Sequence, residues 1–137
     1  MAPPRHPALT RSLHVLVIDD ESSVLDLARE RLEGEGHRVT GLQSANSVET
    51  VIRVLRPDVV LIDVMMPGLE GKQLARLLAT YATVPSPGII LHSSIPMRAL
   101  SYALDVRSAL GVIQKTNDDV EFFFAFNGLV DRLPAPS

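Results

Sequence analysis

Val59-Val60-Leu61-Ile62 is an unbroken apolar run, rich in β-branched residues, that stops abruptly at Asp63. A strand with one wet face alternates polar and apolar residues, so a run without alternation predicts burial on both faces, as in a parallel sheet covered by helices on either side. The rest of the chain supplies matching parts. Leu13 to Ile18, Ile89 to Leu91 and Gly111 to Ile113 are short apolar runs of strand length, and His37 to Leu42 has the weak alternation of an edge strand. Between them lie segments of helical period. Val24, Leu25, Ala28 and Leu32 form one apolar face, behind a capping box at Ser23 and Asp26 and ahead of Gly34 and Gly36. Val48, Val51, Ile52 and Leu55 form a second, with Asn46 and Glu49 as its cap, and Leu74, Leu77, Leu78 and Tyr81 a third. Pro96 suits the first turn of a fourth helix carrying Met97, Leu100 and Leu104. A fifth begins near Asn117 or Asp118 and runs to about Leu133. Strands alternating with helices predict an α/β protein, a five-stranded parallel sheet with helices on both faces.

The organisation read from this pattern is one domain over residues 13–132, between Pro-rich tails at 1–12 and 133–137 that are expected to be flexible. Thirteen Lys and Arg against sixteen Asp and Glu give a net charge of −3, without the broad basic surface that direct nucleic-acid binding needs. There are no cysteines, which removes disulfide frameworks and thiolate chemistry. No apolar run approaches the roughly 20 residues that cross a bilayer. These features are read as a cytoplasmic protein with no membrane contact.

The chemistry lies at the strand ends. In an open parallel sheet, ligands bind outside the carboxyl ends of the strands where the strand order reverses. The first strand ends in Asp19-Asp20-Glu21, the third in Asp63, the fourth in Ser93-Ser94 and the fifth leads to Lys115. Carboxylates gathered there repel one another by on the order of 4 kcal/mol per close pair at an effective dielectric of about 20. A hard divalent cation such as Mg²⁺, with its preference for carboxylate and phosphate oxygens, and the ammonium of Lys115 offset that repulsion. A neutralised site of this kind suits attack by a carboxylate on phosphorus, giving an aspartyl phosphate.

Val15-Leu-Val-Ile-Asp-Asp-Glu21, Val59-Val-Leu-Ile-Asp-Val-Met-Met-Pro-Gly68 with Gly71, the Ser93-Ser94 pair and Lys115 together resemble the receiver domain of two-component response regulators. The resemblance covers about residues 13–132, with every element in order. It implies a (βα)5 flavodoxin-like, doubly wound fold of the CheY-like kind. It further implies Asp63 as phosphoacceptor, Asp19, Asp20, Asp63 and the backbone carbonyl of Met65 as Mg²⁺ ligands, Ser93 as a switch hydroxyl, and Lys115 as the contact to the phosphoryl group. The implied donor is a histidine kinase or phosphotransfer protein. Output is expected through a downstream protein target or a homodimer, using the fourth and fifth helices. Phe124 is the candidate aromatic there, because Phe122, Phe126, Leu129, Val130 and Leu133 share one side of the last helix while Val120 and Phe124 point the other way. Two positions depart from the family pattern. Val112 stands where an aromatic is usual, and Thr116 stands where a proline commonly follows the lysine. They motivate an alternative, a pseudo-receiver serving as a constitutive interaction module.

His92, one residue before Ser93, invites a phosphodonor or metal role. Alternation turns it away from Ser93, so a packed or surface imidazole is expected instead. A phosphatase using Asp63 as a transient nucleophile is disfavoured, because Met65 occupies the position of the general acid.

Overall fold

The computed structural model describes residues 12–66, 71–82, 84, 86–96 and 109–134. Five strands, β1 (His14–Ile18), β2 (Arg38–Leu42), β3 (Val59–Asp63), β4 (Gly88–Ser93) and β5 (Gly111–Gln114), form one parallel sheet in the order β2-β1-β3-β4-β5. The helices among the described residues are α1 (Ser22–Gly34), α2 (Val48–Leu55), α3 (Gly71–Tyr81) and α4 (Asp119–Val130). The fourth of the helices expected from sequence, with Met97, Leu100 and Leu104, falls outside the described residues, so α4 corresponds to the fifth.

The central strand is what its sequence demanded: every residue of β3 is buried. Its side chains divide between two apolar layers. Val59 and Leu61 pack with Ala28 and Leu32 of α1 and with Phe122 and Phe126 of α4. Val60 and Ile62 pack with Ile52 of α2 and with Leu74, Leu77 and Leu78 of α3. Helices thus cover both faces, and β2 and β5 lie at the edges, β2 as its weak alternation suggested.

The expected helix caps at Ser23 and Asn46 do not form. The first turn of α1 starts two residues earlier, with Glu21 at the N-cap making no side-chain cap bond, and Ser47, in a left-handed conformation (φ 66°), occupies that place before α2. A cap needs a residue of suitable backbone angle as well as an oxygen, and sequence spacing reports only the oxygen. α4 does have its cap: Asp118 accepts from the amides of Val120 and Glu121.

Two glycines show how packing sets the sign of a substitution. A Cβ on Gly111 would crowd Leu129 Cδ2 and lie 3.1 Å from its Cγ, so the half-buried Leu129 of α4 packs directly over the bare backbone of β5 there. Gly128, inside α4, has open space around it. Gly111→Ala is expected to lower stability by about 1–3 kcal/mol through overpacking. Gly128→Ala is expected to raise it by about 0.5–1 kcal/mol by restricting the unfolded chain. Urea unfolding of both variants checks the opposed signs.

Candidate functional site

The parallel register delivers the polar residues to one rim. Ile18 is level with Ile62, so Asp19 follows β1 beside Asp63 at the end of β3, and β1 is where the strand order reverses. Backbone bonds extend the ladder past the strand ends: Asp19 N donates to Leu42 O at 3.1 Å, and Lys115 N donates to Ser93 O at 2.7 Å. Asp19 and Asp63 are 0% and 3% exposed, whereas Asp20 is open to solvent. Each buried carboxylate has one oxygen fixed by the turn behind it. Glu21 N donates to Asp19 Oδ1 at 2.9 Å, and Met65 N donates to Asp63 Oδ1 at 3.0 Å. Lys115 Nζ lies 2.9 Å from Asp19 Oδ2 and 3.6 Å from Asp63 Oδ2.

These contacts move the titrations. Burial raises the Asp63 pKa, and the neighbouring charges of Asp19 and Asp20 add to the rise against the Met65 amide and Lys115, which lower it. For Lys115, burial alone lowers the pKa, but the bond to Asp19 and the charges of Asp63 and Asp19 outweigh it, and the net shift is upward. The ammonium is therefore a permanent member of the cluster.

Asp19, Asp20 and Asp63 offer carboxylate oxygens that all lie within 4.8 Å of one another. Against three carboxylates, one ammonium leaves the cluster with an excess of negative charge. An all-oxygen donor set with that excess fits a hard divalent cation such as Mg²⁺.

The structure keeps Ser93 apart from this cluster in its hydrogen bonding. It is buried at the end of β4, and its hydroxyl accepts from Ile95 N at 3.0 Å and donates to Ile95 O at 3.1 Å. Met65 directs its side chain outward, 63% exposed, while its amide serves Asp63. His92 is packed, as alternation indicated, with its ring edge-on to Phe122. Burial, then the charge of Lys115, pushes its pKa down to about 4, so it stays neutral beside the cluster at neutral pH. Phe124 and Val120 stand 83% and 78% exposed on α4.

One residue near the site was not singled out from sequence. Arg31 is buried on α1 with its guanidinium over the Phe122 ring, and it shares a groove with His92 and Lys115. Its place three residues after Ala28, on the apolar stripe of α1, was the available signal.

An open, doubly wound sheet with an acidic, lysine-bearing crevice at its switch point defines a ligand-binding α/β domain. This chain belongs to the response regulator receiver domain family, whose model matches residues 15–126. Among curated relatives it is similar to the DNA-binding response regulator MtrA of Mycobacterium bovis, 36% identical over 76 residues, which cover 56% of this chain and 33% of the relative. It is also similar to the transcriptional regulatory protein CseB of Streptomyces coelicolor, 38% identical over 72 residues, covering 53% and 31%. The matches span about a third of the length of these relatives. Among solved structures, the signal receiver domain of NarL from Mycobacterium tuberculosis superposes with a TM-score of 0.72 at 25% identity, over 89% of this chain and 98% of that one. The chemotaxis response regulator CheY4 of Vibrio cholerae shares the fold, with a TM-score of 0.74 at 17% identity over 87% and 99% of the two chains. No helix among the described residues is long and apolar enough to cross a membrane.

Because the folded-state pKa of Asp63 is raised, folding takes up a proton relative to the unfolded chain. Ionised Asp63 therefore weakens the fold above its folded pKa, and the penalty disappears as pH falls below the unfolded value of about 3.9. Asp63→Asn in metal-free buffer is expected to unfold at higher urea than the parent at neutral pH. Below pH of about 3.9 the two curves are expected to coincide.

Proposed function

We propose that this receiver domain accepts a phosphoryl group on Asp63 and signals by changing its protein contacts. The observation that carries this reading is the buried pair of Asp19 and Asp63 sharing the Lys115 ammonium at 2.9 and 3.6 Å, with Asp20 at the mouth. In the transfer, a carboxylate oxygen of Asp63 attacks phosphorus and forms an O–P bond. The bond from phosphorus to the donor breaks with its electron pair leaving on the donor: acetyl phosphate releases acetate, and a phosphohistidine releases its imidazole, which takes up a proton from solvent. Asp19, Asp20, Asp63 and the Met65 carbonyl are the residues that would hold Mg²⁺. When bound, the ion supplies positive charge to the phosphoryl oxygens. The chain's own contributions are positional. The Met65 amide fixes one oxygen of Asp63, the strand holds the carboxylate still, and Lys115 meets the charge that accumulates on the transferred group.

Ser93 stands at the tip of the adjacent strand as the hydroxyl that exchanges its bonds to Ile95 for phosphoryl oxygens. The donor in this reading is a histidine kinase or phosphotransfer protein in the cytoplasm. The exposed Phe124 and Val120 are the anchors of an output surface that engages a target protein or a second copy. DNA binding is named for the longer relatives, of which this chain matches about a third, and it is not part of the function assigned to the domain.

Incubation with acetyl phosphate and Mg²⁺, read by intact-protein mass spectrometry, is expected to add one phosphoryl group to the parent and none to Asp63→Asn. An unchanged parent mass would leave the constitutive interaction module as the reading. In the same preparation Mg²⁺ is expected to raise the thermal midpoint of the parent through binding to the native state, and to raise that of Asp20→Asn less.

A further inference from the structure

Lys115 follows the last residue of an edge strand, yet its ammonium touches Asp19 at the tip of β1. In the order β1-β3-β4-β5, three spacings of about 4.8 Å separate those strands, farther than a lysine side chain comfortably spans. The course of the main chain around Lys115 therefore decides whether the ammonium arrives. On one side that course is fixed by the sheet, because Lys115 N donates to Ser93 O at 2.7 Å. On the other side is Thr116, whose backbone has no ring to restrict it.

Arg31 supplies the missing restraint. Its side chain is 5% exposed, and a guanidinium withdrawn from water is costly unless its N–H groups find partners. The partners all come from the stretch that follows Lys115. Nη2 donates to Thr116 O at 2.8 Å, Nε donates to Asp119 Oδ1 at 2.8 Å, and Cζ lies 4.8 Å from the centroid of Phe122. The pairing with Asp119, itself 68% exposed, contributes little alone. The bond to Thr116 O has a different consequence, since it fixes the peptide immediately beyond Lys115 against α1.

We propose that Arg31 is a positioning residue for Lys115, clamping the chain between β5 and α4 so that the ammonium stays within reach of both Asp19 and Asp63. This rests on Lys115 meeting the phosphoryl group as set out above. Arg31 does not touch the reacting atoms; it acts through the Thr116 carbonyl.

Arg31→Met keeps an unbranched apolar stem and strands no buried charge, since Asp119 is exposed. Arg31→Lys keeps the charge and a shorter donor, and thermal melts confirm that each variant is folded. With acetyl phosphate and saturating Mg²⁺, Arg31→Met is expected to slow phosphorylation of Asp63 by about 10-fold and Arg31→Lys by less. In a Lys115→Ala background, Arg31→Met is expected to slow it no further. A merely structural role would give losses that add. Independently of phosphotransfer, ¹³C relaxation is expected to show a lower order parameter at Lys115 Cε in Arg31→Met than in the parent. Additive losses, or an unchanged order parameter, would overturn the proposal. If the parent takes up no phosphoryl group, the phosphoacceptor reading falls and the relaxation measurement alone decides the role of Arg31.

Discussion

Asp19 and Asp63 place two carboxylates at neighbouring strand tips, both almost out of reach of water, and the ammonium of Lys115 is what makes that tolerable. Buried carboxylates side by side would otherwise neutralise one of the pair by taking up a proton. The upward shift at Asp63 shows burial and carboxylate repulsion still acting, whereas the upward shift at Lys115 shows its attraction to Asp19 and Asp63 outweighing burial. A cluster left with this excess of negative charge is primed for cations. The site's chemistry follows from incomplete compensation: a perfectly paired set of charges would have no affinity left to offer.

The apolar sheet is the other half of that arrangement. Because the side chains of β3 are buried on both faces, the strand has no room for polar groups until it ends, and parallel register makes neighbouring strands end together. Ile18 level with Ile62, and Asp63 level with His92, put the first polar positions of three strands on one rim. Helix packing on the two layers then holds the rim rigid, so the carboxylates cannot relax apart. Hydrophobic burial below and electrostatic strain above are in this sense one design, with the first maintaining the second.

That connection explains what could be read from the residues and what could not. Val59 to Ile62 required a two-sided strand whatever surrounded it, and weak alternation marked β2 as an edge; both are statements about burial, to which composition responds directly. Asp19, Asp20 and Asp63 were legible as a group because each directly follows or ends such a run. The helix caps were not, because the choice between Ser23 and Glu21, or Asn46 and Ser47, turns on backbone angles that the surrounding packing sets. Arg31 was missed for a related reason. A cation on the apolar stripe of α1 can reach solvent along the helix or turn inward, and its direction is decided by Thr116, Asp119 and Phe122, at least 85 residues away along the chain.

The missing aromatic on β5 changes how a charge at Asp63 can be felt elsewhere. Val112 is half-buried among the side chains of the α2 and α3 layer, and a compact β-branched side chain has no alternative rotamer of comparable reach to swing between surface and core. A displacement of Lys115 toward new charge on Asp63 must then be carried by the main chain on either side of it. One route is the bond to Ser93 O, which belongs to the residue whose hydroxyl is held by Ile95. The other is Thr116 O and its bond to Arg31, which joins the loop to α1 and, through Asp119 and Phe122, to the first turn of α4. The second route ends on the helix that also presents Val120 and Phe124 to solvent, so Arg31 links the peptide beyond Lys115 to the element that carries the exposed apolar surface.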